Sequence, residues 1–201
     1  MTDGRGDFRA YLLAAATGVL ERFREELRPE IYALSFRIWR VDDDDRRPYV
    51  AIGYNTESRY EAERRPEDPG EARCNYACRL LGGFEMLGNC PEDPAGGALY
   101  AEEVRRLGLW FDGDGDAAEL DATREPLRLH FADACVRPAR DLHDGGLIGR
   151  VLGRPLPVWV FDMYCPGWEI EATQAANPPE LVEEFLAWQR AAEEAQPLGA
   201  G

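Results

Sequence analysis
A run of period two and a second short apolar run, parted by an acidic tract, restrict the fold more than anything else in the chain. In Ile31 to Val41, Tyr32, Leu34, Phe36 and Ile38 alternate with Ala33, Ser35, Arg37 and Trp39. A period of two is the signature of a strand. Tyr49 to Asn55 is a second strand. The tract Asp42-Asp43-Asp44-Asp45-Arg46-Arg47-Pro48 between them reads as a solvated turn. The pair predicts an antiparallel hairpin. Ahead of it, Phe8, Tyr11, Leu12, Ala15, Val19 and Phe23 share one face at helical spacing, with Asp7 as N-cap and Pro29 as the stop.

Beyond the hairpin the pattern is weaker. Helical stretches are expected near Glu57–Arg65, Arg73–Leu81 and Ala98–Leu107, with loop over Phe84–Gly97. Leu127, Phe131, Ala134, Cys135 and Leu142 mark another amphipathic helix that Pro138 should kink or end. Leu156 to Met163 is the most apolar short run and reads as a central strand, with a further short strand over Trp168–Thr173. Pro179 opens a final helix whose core face is Leu181, Val182, Phe185, Leu186 and Trp188. The order predicts an α+β fold, a mixed or antiparallel sheet with an N-terminal hairpin, flanked by helices at both termini. With 201 residues and no linker or repeat, one domain is expected over 1–201, with frayed tails at 1–6 and 196–201.

Composition removes several chemistries. The 23 basic residues are all Arg, so there is no Lys for a Schiff base or a phosphate loop. Arg does not replace it as a base, because its guanidinium stays protonated. Ser35 and Ser58 are the sole serines, and neither lies in a Gly-x-Ser-x-Gly elbow. A net charge of −15 repels nucleic-acid phosphates and attracts a basic protein. The N-terminal residues lack the apolar stretch of a signal peptide, and no apolar run reaches the ~18 residues of a membrane span. A cytoplasmic location, reduced cysteines and no membrane partner are the expectation.

The candidate sites compete with structural readings. Asp112, Asp114 and Asp116 resemble the start of a calcium loop, but Ala117 stands at its sixth position and Thr123 at its twelfth. An exposed acidic turn is the better reading. Cys74 and Cys78 share a helix face if helical, and Cys90 follows, without a second tight pair to complete four ligands. No metal or other cofactor is predicted. Cys165 paired with His143 or His130 lacks local activation of the thiol. Asp162 ends the apolar strand, and Glu169 and Glu171 fall on one face if that segment is extended. Among five Trp, Trp110 beside the acidic turn and Trp168 in a Cys-Pro-Gly-Trp turn are the best recognition candidates.

Glu30-Ile-Tyr-Ala-Leu-Ser-Phe and the strand ending in Asn55-Thr56-Glu57 carry a resemblance to a bacterial family, the domain of unknown function 4303. Trp110, Gly146-Leu-Ile-Gly149, Asp162 and Asn177-Pro178 extend the likeness over most of the chain. The insert around Cys74–Pro94 departs from the family pattern. The resemblance implies no catalytic residue. Small acidic proteins of this style are similar to immunity proteins of bacterial toxin loci. The expected function is a non-enzymatic interaction module, such as an immunity-type inhibitor of a basic toxin. Its candidate contacts are Asp42, Asp43, Asp44, Asp45, Trp110, Asp112, Asp114, Asp116 and Trp168, and both acidic turns should tolerate neutralisation at little cost in stability. The alternative is an enzyme or metal-binding protein built on scattered carboxylates and a His.

Overall fold
A computed structural model describes residues 7–64, 67, 69–74, 85–113, 115–162 and 168–195. The fold is α+β. Helix α1 (Phe8–Glu21) leads into strand β1 (Ile31–Arg40) and, across the acidic turn, strand β2 (Pro48–Thr56). Helices α2 (Glu57–Glu63) and α3 (Pro69–Cys74) follow, then strand β3 (Glu85–Gly88) and helix α4 (Pro94–Arg106). Helix α5 (Ala117–Asp144), α6 (Leu147–Leu152), strand β4 (Val158–Asp162), α7 (Trp168–Ala176) and α8 (Glu183–Ala195) complete the order. The sheet runs β3-β2-β1-β4. β1 is antiparallel to β2 and parallel to β4, and β3 is antiparallel to β2.

The pleat sends alternate residues of each strand to opposite faces. Val158 and Val160 of β4 join the main core with Leu34, Phe36, Ile38, Val50 and Ile52, under α1, α4, α5 and α6. Trp159 and Phe161 join a second cluster with Tyr32, Cys74 and Phe185, covered by α3 and α8. Burial on both faces explains why β4 reads as a continuous apolar run.

β4 is nevertheless an edge strand, not a central one. Its outer edge is satisfied by side chains of α7 and the residue after it. Asn177 Oδ1 accepts from the Val158 amide at 2.7 Å, and Asn177 Nδ2 donates to the Val158 carbonyl at 2.7 Å. Thr173 Oγ1 does the same for Val160, at 3.1 and 3.2 Å. The expected strand over Trp168–Thr173 is therefore helix α7. Ala172, Thr173 and Ala176 are its buried residues, and that i, i+1, i+4 face is what docks Thr173 on β4.

Three further boundaries differ from expectation. The stretch expected as loop supplies β3 at Glu85–Gly88 and the start of α4 at Pro94. Asp93 caps α4 by accepting from the Gly96 amide at 2.9 Å, and it also takes the Gly88 amide and the Tyr11 hydroxyl. Gly88 has φ +133°, and a Cβ there would meet the Pro48 carbonyl at 2.7 Å. α5 runs 28 residues through both Pro126 and Pro138. Its buried face of Leu127, Phe131, Cys135, Ala139 and Leu142 outweighs the lost backbone bonds. The expected helix over Arg73–Leu81 begins earlier, at Pro69; residues 75–84 lie outside the described ones.

Candidate partner-binding face
The two acidic turns picked out from the sequence lie on one face, and Arg46 joins them. Its Nη1 donates to the Gly113 carbonyl at 2.6 Å and to the Phe111 carbonyl at 3.2 Å. The same guanidinium sits 4.3 Å from the centre of the Phe111 ring. A cleft of about 300 Å³ runs between the turns, lined by Asp43, Asp44, Asp45, Arg46, Phe111, Leu120 and Arg124 among others. Leu120 is one of three large apolar side chains left exposed among the described residues.

The four aspartates of the hairpin tip do different jobs. Asp42 and Asp43 adopt left-handed φ of 55° and 57°, a region that Asp tolerates better than most residues. Asp42 is 81% exposed and pairs loosely with Arg47 at 2.8 Å. Asp44 accepts from the Arg46 amide and guanidinium. Burial alone would raise its pKa, but those bonds outweigh it and hold the carboxyl below its ordinary value. Asp45 is only 13% exposed, taking Arg40 Nε at 2.6 Å, Arg128 Nε at 2.8 Å and Arg124 Nε at 3.5 Å. Neutralising Asp45 is thus costly, contrary to the sequence expectation for this turn, because it anchors three guanidinium groups.

Asp162 belongs to the same cluster. Arg40 grips it with both terminal nitrogens, at 2.8 and 2.7 Å, and both side chains are buried. Burial works against the Arg40 charge, yet Asp162 and Asp45 outweigh it, and Arg40 is held more firmly protonated than a free arginine. The cluster lies where parallel β1 and β4 both end. It ties the hairpin tip to the sheet's far edge and to α5. Sequence reasoning singled out Asp162 and Asp45 but not Arg40, whose partners are 5 and 122 residues away. Its place at the end of an apolar strand was the signal.

On the second turn, Trp110 is half-buried. Its Nε1 donates to Asp112 at 3.1 Å, and Arg105 lies 4.5 Å from the ring centre. Asp112 is exposed. Asp116 is the N-cap of α5, in a capping box with Glu119. Asp114 lies outside the described residues, as do Cys78 and Cys165. No grouping of three His, Cys, Asp or Glu able to hold a metal occurs among the described residues. Trp168 opens α7, half-buried, away from this cleft and beside a second pocket. With α7 helical, Glu169 and Glu171 sit in its first turn and do not share an extended face.

The two histidines differ in their surroundings. His130 Nε2 lies 2.9 Å from Glu103. His143 Nε2 lies 3.0 Å from Asn177 Oδ1. That oxygen accepts the Val158 amide too, so the His143 nitrogen is the donor, which fixes the Nε2–H tautomer. Cys74, Cys90 and Cys135 are buried, and burial pushes the Cys90 and Cys135 thiols up, away from nucleophilic use. No helix among the described residues is long and apolar enough to cross a membrane. Comparisons with protein-family models, with curated proteins and with solved structures return no match.

Proposed function
We propose that this protein is a non-enzymatic interaction module that docks a basic protein partner, in the manner of an immunity-type inhibitor of a basic toxin. One observation carries the reading: Arg46 ties the two acidic turns together beside a cleft whose lining is part charged and part apolar. Asp42, Asp112 and Asp116 are exposed on these turns, Phe111 and Leu120 give the cleft apolar surface, and Trp110 is half-buried beside Asp112. A polar, charged rim around an apolar centre is the anatomy of a transient interface. The net charge of −15 steers a cationic partner toward it. The likeness of Asn55-Thr56-Glu57 and Asn177-Pro178 to the domain 4303 family belongs to the same proposal and supplies no activity.

The test uses side chains that do not hold the fold. Asp42→Asn, Asp112→Asn and Asp116→Asn remove three charges, and Asn at position 116 remains a good N-cap. Partners captured from a lysate of the source cells are compared for wild type and triple variant across a salt series. Slower association of the variant is expected, with the difference vanishing at high salt, because rim charges act on encounter rate. Equal association rates at low salt would remove the electrostatic reading. Trp110→Ala is expected to speed dissociation.

A further inference from the structure
We propose that the pocket between α5 and the start of α7 binds a small monocarboxylate with an apolar body. The pocket has a volume of about 300 Å³ and is lined by Arg124, Glu125, Arg128, Leu129, Ala132, Asp162 and Trp168. That volume is at the lower end of ligand cavities. It lies outside the carboxyl ends of the parallel strands β1 and β4, the side on which open sheets with parallel strands place their ligands.

The polar side of the pocket is built and held. Arg128 Nε donates to Asp45 at 2.8 Å, which fixes the guanidinium plane. Its two terminal nitrogens have no partner among the described residues and line the pocket, with the side chain 26% exposed. A guanidinium anchored through Nε presents those two nitrogens end-on, the geometry that grips one carboxylate with two parallel bonds. Arg124 adds a second, more exposed guanidinium, held only at 3.5 Å by Asp45 and Asp121.

The opposite side is apolar. Leu129 is 55% exposed and gives that side apolar surface. Half-buried Trp168 and Ala132 continue that wall. Asp162 and Glu125 also line the pocket, and the Asp45 carboxylate is bonded to the Arg128 guanidinium. These carboxylates oppose added negative charge, so a singly charged anion is favoured over phosphate or a dicarboxylate. This inference does not rest on the proposed basic partner, whose cleft between the acidic turns is a different cavity that shares Arg124 in its lining.

The test is ligand-observed saturation-transfer NMR with 3-phenylpropionate as probe, against 3-phenylpropan-1-ol and inorganic phosphate. A ligand of this size is expected to bind with a roughly millimolar dissociation constant. The carboxylate should bind, the alcohol about tenfold or more weaker, and phosphate should not compete. Arg128→Gln should weaken the carboxylate by about tenfold or more, the loss of a charge-assisted pair. Because Arg128 also braces Asp45, Leu129→Glu serves as the second variant. It changes an exposed side chain, should leave the melting temperature unchanged, and should abolish binding by occupying the wall with a like charge. No saturation transfer to 3-phenylpropionate, equal binding of the alcohol, competition by phosphate, or binding that survives Leu129→Glu would each overturn the proposal.

Discussion
Arg40 and Asp162 show how much one buried pair decides. Each charge is taken out of water, and the guanidinium is satisfied only because two carboxylates meet it. Removing one partner leaves the other charged and dry, which costs about 3–5 kcal/mol. Asp162→Asn should therefore lower the urea midpoint strongly. The double variant Arg40→Met with Asp162→Leu should regain much of that loss, which a double-mutant cycle reads directly. His143 supplies a pH-dependent counterpart. Burial, the largest influence, lowers its pKa below the ordinary value, against the Asn177 bond that raises it; Arg140 lowers it further, while Asp144 and Glu180 raise it. The folded chain thus binds this proton less readily than the unfolded one, whose histidine titrates near ~6.5. The contribution of His143 is complete above that value and falls away as the pH drops below it. Melting temperature measured between neutral pH and about pH 5 should decline, and His143→Gln, which has no proton to gain there, should flatten the decline.

At the scale of elements, α5 holds more of the molecule together than any other helix, and it does so despite two prolines. Pro126 is exposed in its interior, where it removes a backbone bond without packing in return. Pro126→Ala should raise stability by up to about 3 kcal/mol, read from the thermal midpoint. Pro138 is buried, and the same change there should gain less, because a cavity offsets the restored bond. These prolines also mark the limits of the sequence. The hairpin was legible because Tyr32, Leu34, Phe36 and Ile38 recur at every second position, and an acidic turn separates them from the short run 49–55. α1 and α8 were legible because each has a clean apolar stripe. β3 was not: its four residues carry no period, and only pairing with Tyr49 to Ile52 makes them a strand. α7 was misread because Trp168, Ile170 and Ala172 imitate a period of two, whereas the decisive contacts of Thr173 and Asn177 are with a strand no local window contains. The acidic turns were visible as charge, but their convergence rests on Arg46 reaching residues 65 and 67 positions away. The Arg40 cluster was half legible, as lone aspartates at turns and a strand end.

For the molecule as a whole, the charge of −15 is a load on the compact state, since like charges on one surface repel. Salt screens exposed charges far more than buried pairs such as Arg40 with Asp162. Stability should accordingly rise as sodium chloride is added from near zero to about 0.15 M, where the screening length is ~8 Å. A melting temperature that falls over this range would place the balance with the surface ion pairs instead. Charge is a diffuse guard against self-association, and the fold adds a local one. An edge strand as apolar as Val158–Asp162 is a template on which a second chain can crystallise into fibrils, strand upon strand. Asn177 and Thr173 occupy that template with a counterfeit strand made of one amide and one hydroxyl, which bonds the ladder but has no far side to extend it. Thr173→Val with Asn177→Leu keeps the bulk and erases the counterfeit. Such a chain should nucleate thioflavin-positive aggregates with a shortened lag, and most quickly in salt, once the diffuse guard is also gone.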